Sequence, residues 1–142
     1  GKIDEFVRVV VYRYWMDEKG SKDLTLDPAM ITFEMSDGWI HDEAQSTKER
    51  EVYYYKNSVG IGEVTENLTK SISVDKSVTT EPKMSETDGV ITYTYDYDGY
   101  QVCLEAEAQS IQTHNASYAV KSIWGVTNVT VSGDTLTVNK AN

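Results

Sequence analysis

One segment limits the fold of this chain more than any other: residues 6–15 have the sequence Phe-Val-Arg-Val-Val-Val-Tyr-Arg-Tyr-Trp. These residues are β-branched or aromatic, without glycine or proline, which is the composition of a β-strand. Both alternating faces of the strand are largely apolar, so neither face suits water. We therefore expect a strand in the middle of a sheet that is covered on both sides, or covered on its second side by another subunit.

Two hairpins are predicted further along the chain. Residues 91–97 and 100–108 alternate in polarity on either side of an Asp-Gly pair, which is typical of two strands joined by a two-residue turn. Residues 126–131 and 135–139 flank a Ser-Gly-Asp sequence and predict a second hairpin.

The segments between these elements are shorter. Residues 51–56, with the sequence Glu-Val-Tyr-Tyr-Tyr-Lys, predict a strand rich in tyrosine. Residues 68–74 alternate in polarity and predict a short strand. Residues 79–89 are polar and contain a proline, and they predict a loop.

One short helix is predicted near residues 115–124. Asn115 is suited to cap its start, and Gly125 to end it. The apolar residues at helical spacing are Ala116, Ala119, Val120, Ile123 and Trp124. Many short strands with regular turns and a single helix indicate an all-β, jelly-roll-like antiparallel β-sandwich, one domain spanning residues 1–142.

The charge of the chain argues against two classes of partner. It has 23 acidic and 13 basic residues among 142, a net charge of -10, so phosphate backbones and anionic bilayers repel it. No stretch approaches the roughly 20 apolar residues that span a bilayer. We therefore expect no nucleic-acid partner and no membrane insertion.

The sequence offers no catalytic or metal-binding spacing. His41 and His114 stand outside any His-x-x-x-His or Cys-x-x-Cys pattern, so no metal and no cofactor is predicted. Glu105 and Glu107 share a strand face with Cys103, and a solvated face is a simpler interpretation than an acid and base pair. We expect a protein that is not an enzyme. The single cysteine excludes an internal disulfide and leaves its own role open.

Three parts of the sequence resemble a known family. They are residues 36–40 (Ser-Asp-Gly-Trp-Ile), residues 51–56, and residues 62–68 (Gly-Glu-Val-Thr-Glu-Asn-Leu), and the opening residues 1–9 are similar as well. The chain resembles the TasA and camelysin family of SipW-dependent exported proteins of Gram-positive bacteria, closest to its clostridial biofilm matrix members. The resemblance covers roughly the first half of the chain.

The resemblance implies a secreted structural subunit of an extracellular biofilm matrix or pilus-like fibre. Such subunits polymerise head to tail, with a strand of one copy completing a sheet of the next. The implied partners are copies of the chain itself and a minor matrix or anchoring protein. The residues expected at the polymer interface are Phe6, Val7, Val9, Val11, Tyr93 and Tyr95.

Two departures from the family pattern affect this expectation. The family has a further segment before the strand that starts near Phe6, and we expect a chain without that segment to accept a strand without donating one. Ile61 stands where the family has a proline, which bears on the rigidity of that loop. Camelysin is associated with metalloprotease activity, which we do not extend to this chain because it lacks a metal-binding histidine pair.

Some Gram-positive fibres lock their subunits with isopeptide bonds between a lysine and an Asn or Asp. That chemistry needs a desolvated, neutral lysine and an acid that transfers protons. The candidates for such a bond are Lys56, Lys121, Lys140 and Asn142, with Glu105 or Glu107 as the acid. The alternative is that each is an ordinary surface residue.

Two other functions remain open at this point. A cell-surface adhesin or carbohydrate-binding module would use Trp15, Trp39 or the tyrosine strand as a platform, and it predicts aromatic rings exposed together on one flat face. A hydrolase would use Glu105 and Glu107, and it predicts a cleft that joins them to further acids.

Overall fold

The structure is a computed structural model and describes residues 4–66, 68–74, 83–97 and 99–140. The strands are β1 (Asp4–Met16), β2 (Lys22–Asp23), β3 (Phe33–Met35), β4 (Trp39–His41), β5 (Arg50–Tyr55), β6 (Val59–Gly60), β7 (Ile72–Val74), β8 (Lys83–Thr87), β9 (Val90–Tyr97), β10 (Tyr100–Gln112), β11 (Val129–Ser132) and β12 (Thr135–Val138). The helices are α1 (Glu63–Glu66), α2 (Leu68–Ser71) and α3 (Ala116–Ser122), with 3₁₀ turns at Pro28–Met30 and Glu43–Gln45.

The main sheet follows the strand order β4-β5-β1-β10-β9-β8, and β2 and β6 also pair with β1. Its neighbouring strands are antiparallel throughout. Two small sheets, β3–β7 and β11–β12, complete the strand pairing. The predicted all-β antiparallel sandwich is confirmed, and among the described residues α3 is its one helix of seven or more residues.

The strand predicted from residues 6–15 is the centre of the main sheet. Its ladder with β10 runs from the pair Glu5 and Gln112 to the pair Met16 and Gln101. Its other edge pairs in turn with β6, β5 and β2. Because odd and even residues of a strand point to opposite faces, the apolar residues of β1 belong to two separate cores.

The first core lies on the face of the odd residues of β1. Its members come from β1, β9 and β10 and from the segment between Ile31 and Val74; they include Val9, Val11, Trp15, Leu68, Ile72, Ile91, Val102 and Leu104. The second core lies on the face of the even residues, beneath α3 and the β11–β12 hairpin. It includes Phe6, Val10, Val52, Tyr54, Ile111, Val120, Trp124, Val129 and Leu136.

The helix is present, but the predicted details of its ends are partly wrong. Asn115 has a left-handed backbone, with φ 61, and its side chain makes no capping hydrogen bond. Ala116, Val120 and Trp124 are buried against the sheet, whereas Ile123 is exposed. The buried stripe therefore repeats every fourth residue.

Two segments differ from their prediction. Residues 68–74 form α2 and then β7, so the strand occupies only the second half of the predicted range. The predicted loop 79–89 contains β8, a strand of five exposed residues; residues 75–82 lie outside the described part of the chain. Asp88 and Gly89 have φ of 53 and 79, and this type I′ turn connects β8 to β9.

Candidate functional site

Four of the residues expected at a polymer interface lie in the interior of the subunit. Phe6, Val7, Val9 and Val11 are all buried, and β1 is paired along both edges. In the single subunit, a strand that is apolar on both faces lies at the centre of its own sheet, and a polymer interface at these four residues stays a prediction.

Tyr93 and Tyr95, the other two expected interface residues, are buried as well. They lie on β9 and point into the first core. Strand β9 is paired with β10 on one side and with β8 on the other, from Lys83 and Thr94 to Thr87 and Val90. In the single subunit β8 pairs with the outer side of β9, and a polymer interface at Tyr93 and Tyr95 stays a prediction.

Strand β8 is the surface that strand addition would use. Within the described part of the chain it pairs only with β9, and all five of its residues are exposed. A two-residue turn requires that Thr87 and Val90 exchange hydrogen bonds, and bonding then alternates along an antiparallel ladder. Met84 and Glu86 therefore direct their N–H and C=O groups outward.

The main sheet ends on its other side at β4, which pairs only with β5 in the described residues. Trp39 packs against Tyr55 with ring centroids 5.2 Å apart and planes at 65°. Gly38, which leads into the strand, has φ +97, and a Cβ atom there would lie 2.6 Å from Cε1 of Tyr55. This close approach explains the glycine in the turn before Trp39.

His41 at the end of β4 belongs to a small charged group. Its Nε2 contacts Oε2 of Glu51, and Oε1 of Glu51 lies 3.2 Å from Nη2 of Arg13. Arg13 also donates from Nη1 to the carbonyl of Ile31, at 2.7 Å. Within the residues that the structure describes, no group of three or more His, Cys, Asp or Glu side chains could hold a metal ion.

The two strand carboxylates predicted on β10 are half-buried on the face of the even residues of β1. The Tyr14 hydroxyl donates to Oε1 of Glu105 at 3.1 Å, while Glu107 stands opposite Val10 in the ladder. Burial raises the pKa of Tyr14, and nearby Cys103 and Glu105 raise it further. The Tyr14 hydroxyl therefore keeps its proton and remains a hydrogen-bond donor to Glu105.

Cys103 stands directly opposite Tyr14 in the ladder of β1 and β10. It is buried, and its Sγ is 3.9 Å from Sδ of Met16. Burial raises the pKa of the thiol above its usual value, although Tyr14 acts in the opposite direction. A protonated, buried thiol is a poor nucleophile and behaves as a packing residue.

Among the described residues, the lysines that are candidates for a covalent cross-link do not meet the candidate acids within the subunit. Lys56, Lys121 and Lys140 are exposed, and no hydrogen bond or ion pair among the described residues joins any of them to Glu105 or Glu107. Asn142 lies outside the described residues. A bond that forms only between subunits stays a prediction.

The aromatic platform expected of a carbohydrate-binding module does not form from the candidate residues. Trp15 and Tyr54 are buried in different cores. The indole N–H of Trp15 donates to the carbonyl of Asp27 at 3.0 Å. Trp39 is half-buried and meets Tyr55 edge to face, so the two rings do not present one flat surface.

A buried polar cluster was missed by the sequence analysis. Oδ1 of Asp42 accepts from Nδ2 of Asn128 at 2.8 Å, and Asp42 is 1% exposed. The Trp124 ring contacts Tyr54, with ring centroids 5.5 Å apart, and the Arg8 guanidinium, whose Cζ is 5.4 Å from the Trp124 ring centre. These residues join the main sheet to the layer of α3 and β11.

Two buried polar atoms of this cluster, Oδ1 of Asn128 and Nε1 of Trp124, have no hydrogen-bond partner among the described residues. Burial raises the pKa of Tyr54 to about 12, with Arg8 lowering and Asp42 raising it. No sequence pattern marked Asp42, because a polar residue after a short strand is normally exposed.

Comparison with known proteins finds no match. No family model matches the chain, and neither the curated proteins nor the solved structures contain a match. Among the residues that the structure describes, no helix has both the length and the apolar character needed to span a bilayer.

Proposed function

We propose that this chain is a structural subunit that assembles with copies of itself into an extracellular fibre, head to tail, by strand addition. One observation carries the proposal: the main sheet ends at β8, an exposed strand whose outer edge has no partner in the described part of the chain.

The backbone of β8 supplies the affinity in this proposal. An added strand would satisfy the outward N–H and C=O groups of Met84 and Glu86, and it would cover Met84, which is 54% exposed. Lys83 and Glu86 place charges on the same edge, and such charges guard natural edge strands against indiscriminate pairing. The β8 edge would therefore pair preferentially with a strand whose charges complement Lys83 and Glu86.

The net charge of -10 affects where two copies of the chain could associate. Like-charged subunits repel each other over about a Debye length, roughly 10 Å at 0.1 M salt. Assembly would need contact at a surface with mixed charge, and β8 carries one lysine and one glutamate. The β8 edge should therefore repel a second copy less strongly than the acidic remainder of the surface does.

The resemblance to the TasA and camelysin family supports the extracellular part of the proposal. That family consists of exported proteins and includes biofilm matrix proteins, and the resemblance includes the turn and strand at residues 36–40. It also supports a minor matrix or anchoring protein as a further partner.

The test is a concentration series of the purified chain, followed by light scattering after size-exclusion chromatography and by negative-stain electron microscopy. We expect linear assemblies whose mean length grows with concentration and with moderate salt. A chain that stays monomeric at every concentration and salt level would contradict the proposal.

A further inference from the structure

Within the part of the chain that the structure describes, the main sheet has two open edges, and they are built from different strands. Strand β8 ends the sheet on one side and β4 on the other, and each has a single neighbour within the described residues. An interface between two different surfaces is heterologous, and it produces an open filament when it does not close into a ring.

The direction of the strands suits a contact between these two ends. The six strands from β4 to β8 alternate in direction at every step. The first and sixth strands of an alternating series run in opposite directions. A copy displaced along the sheet, without being turned over, therefore brings its β4 antiparallel to β8.

The faces match in the same arrangement. Met84 stands opposite Tyr93, which belongs to the first core, and Trp39 packs against that core too. Directly opposite residues of a ladder share a face, so Met84 lies on the same side of the sheet as Trp39. Pairing of the two ends would extend one apolar layer from copy to copy.

We propose that β8 of one copy pairs antiparallel with β4 of the next, so that the main sheet continues through the fibre. This inference rests on the proposed function and names the contact. Both edge strands of each copy would then be paired. No strand would have to detach from its own subunit to be donated to the next.

The alternation of faces selects one register. Met84 must face Trp39 or His41, and one alignment alone sets all three β4 residues opposite residues of β8. In that alignment Met84 faces His41, Ser85 faces Ile40, and Glu86 faces Trp39. A shift by two residues would leave part of β4 beyond the end of β8.

The pairing is tested with two cysteine variants, Met84→Cys and His41→Cys, prepared separately and mixed under mild oxidation. Cys103 is buried and stays in both. We expect disulfide-linked dimers in the mixture, about tenfold above the amount formed by either variant alone. A mixture of Met84→Cys with Lys121→Cys, exposed on α3, is the matched control.

Each result of the mixing experiment decides the question. Dimers of Met84→Cys alone would show that β8 pairs with itself, which gives a closed dimer and overturns the inference. Equal yields in the test and control mixtures would overturn it as well. Circular dichroism checks that both variants fold.

The unmodified chain, examined in parallel, separates the two proposals. If it assembles while the mixture gives no specific dimer, the fibre stands and the β8–β4 contact fails. If it remains monomeric, both fail. Should a cysteine variant not fold, Ser85→Lys serves instead, because Ser85 is exposed. A charge opposite Ile40 should weaken assembly about tenfold, and unchanged assembly would overturn the pairing.

Discussion

Met84 lies directly opposite Tyr93 in the ladder of β8 and β9, and more than half of its side chain is exposed while Tyr93 is buried. The first core of the sandwich thus stops one strand before the edge of the sheet. Strand β8 holds its place through the backbone and the type I′ turn at Asp88 and Gly89. A further strand would cover the exposed side chain of Met84 and pair with the outer backbone groups of β8.

Proline at position 84 should block assembly without unfolding the subunit. The Met84 N–H points away from β9, so Met84→Pro removes a donor that only an added strand would use. We expect association to weaken about tenfold or more, measured by light scattering. Met84→Thr keeps the N–H and is the control; equal loss in both variants would point to the side chain instead.

Assembly should strengthen as salt rises from low to physiological concentration. Screening shortens the range of repulsion between copies of net charge -10, while backbone pairing is little affected. Sedimentation velocity at a fixed protein concentration measures the change. Weaker association at higher salt would indicate an interface dominated by ion pairs.

Asp42→Ala should destabilise the fold by about 1–3 kcal/mol, because it leaves the Asn128 amide without its acceptor in a buried site. The control is Glu43→Ala, an exposed neighbour expected to change stability by no more than about 0.5 kcal/mol. Urea unfolding followed by tryptophan fluorescence gives both values. Equal effects would mean that the Asp42–Asn128 contact contributes nothing.

Gly38→Ala should destabilise the protein more than Gly20→Ala. Both glycines have positive φ, but a Cβ at Gly38 meets Tyr55 at 2.6 Å whereas one at Gly20 meets nothing within 4 Å. The backbone cost, about 1 kcal/mol, is common to both, so the difference isolates the clash. Thermal unfolding measures it, and equal losses would show that Tyr55 moves aside freely.

Stability should fall at alkaline pH. The pKa of Tyr54 is raised to about 12 in the folded state from an ordinary value of 10.0. The unfolded chain therefore loses this proton first, so stability is fully present below pH 10 and declines between pH 10 and 12. Tyr54→Phe should make that decline shallower by about 1.4 kcal/mol per pH unit in urea titrations. An unchanged slope would contradict the burial of the hydroxyl.

The strands that carry apolar alternation could be predicted from the sequence. Residues 6–15 identified the centre of the sheet, and the Asp-Gly pair identified the hairpin that β9 and β10 form. In each case the residues either cover a buried face of the sheet or form a turn with positive φ. Few residue types suit either position, so the sequence pattern is recognisable.

The edge of the sheet could not be predicted in the same way. Strand β8 has no buried residue, so its sequence shows no alternation and resembles a loop. The interface prediction named Phe6 and Val9 because they stand in the strand-like segment 6–15, and in the structure that segment is central and buried. Asp42 was missed because its burial depends on Asn128, far away in sequence.

Hydrogen exchange at β8 tests strand addition most directly. The amides of Met84 and Glu86 point outward in the single subunit, and they should exchange rapidly in dilute monomer. In assembled material the account predicts that both amides exchange about tenfold or more slowly, since they would bond to a neighbouring copy. Assemblies in which these two amides exchange as fast as in the monomer would contradict it.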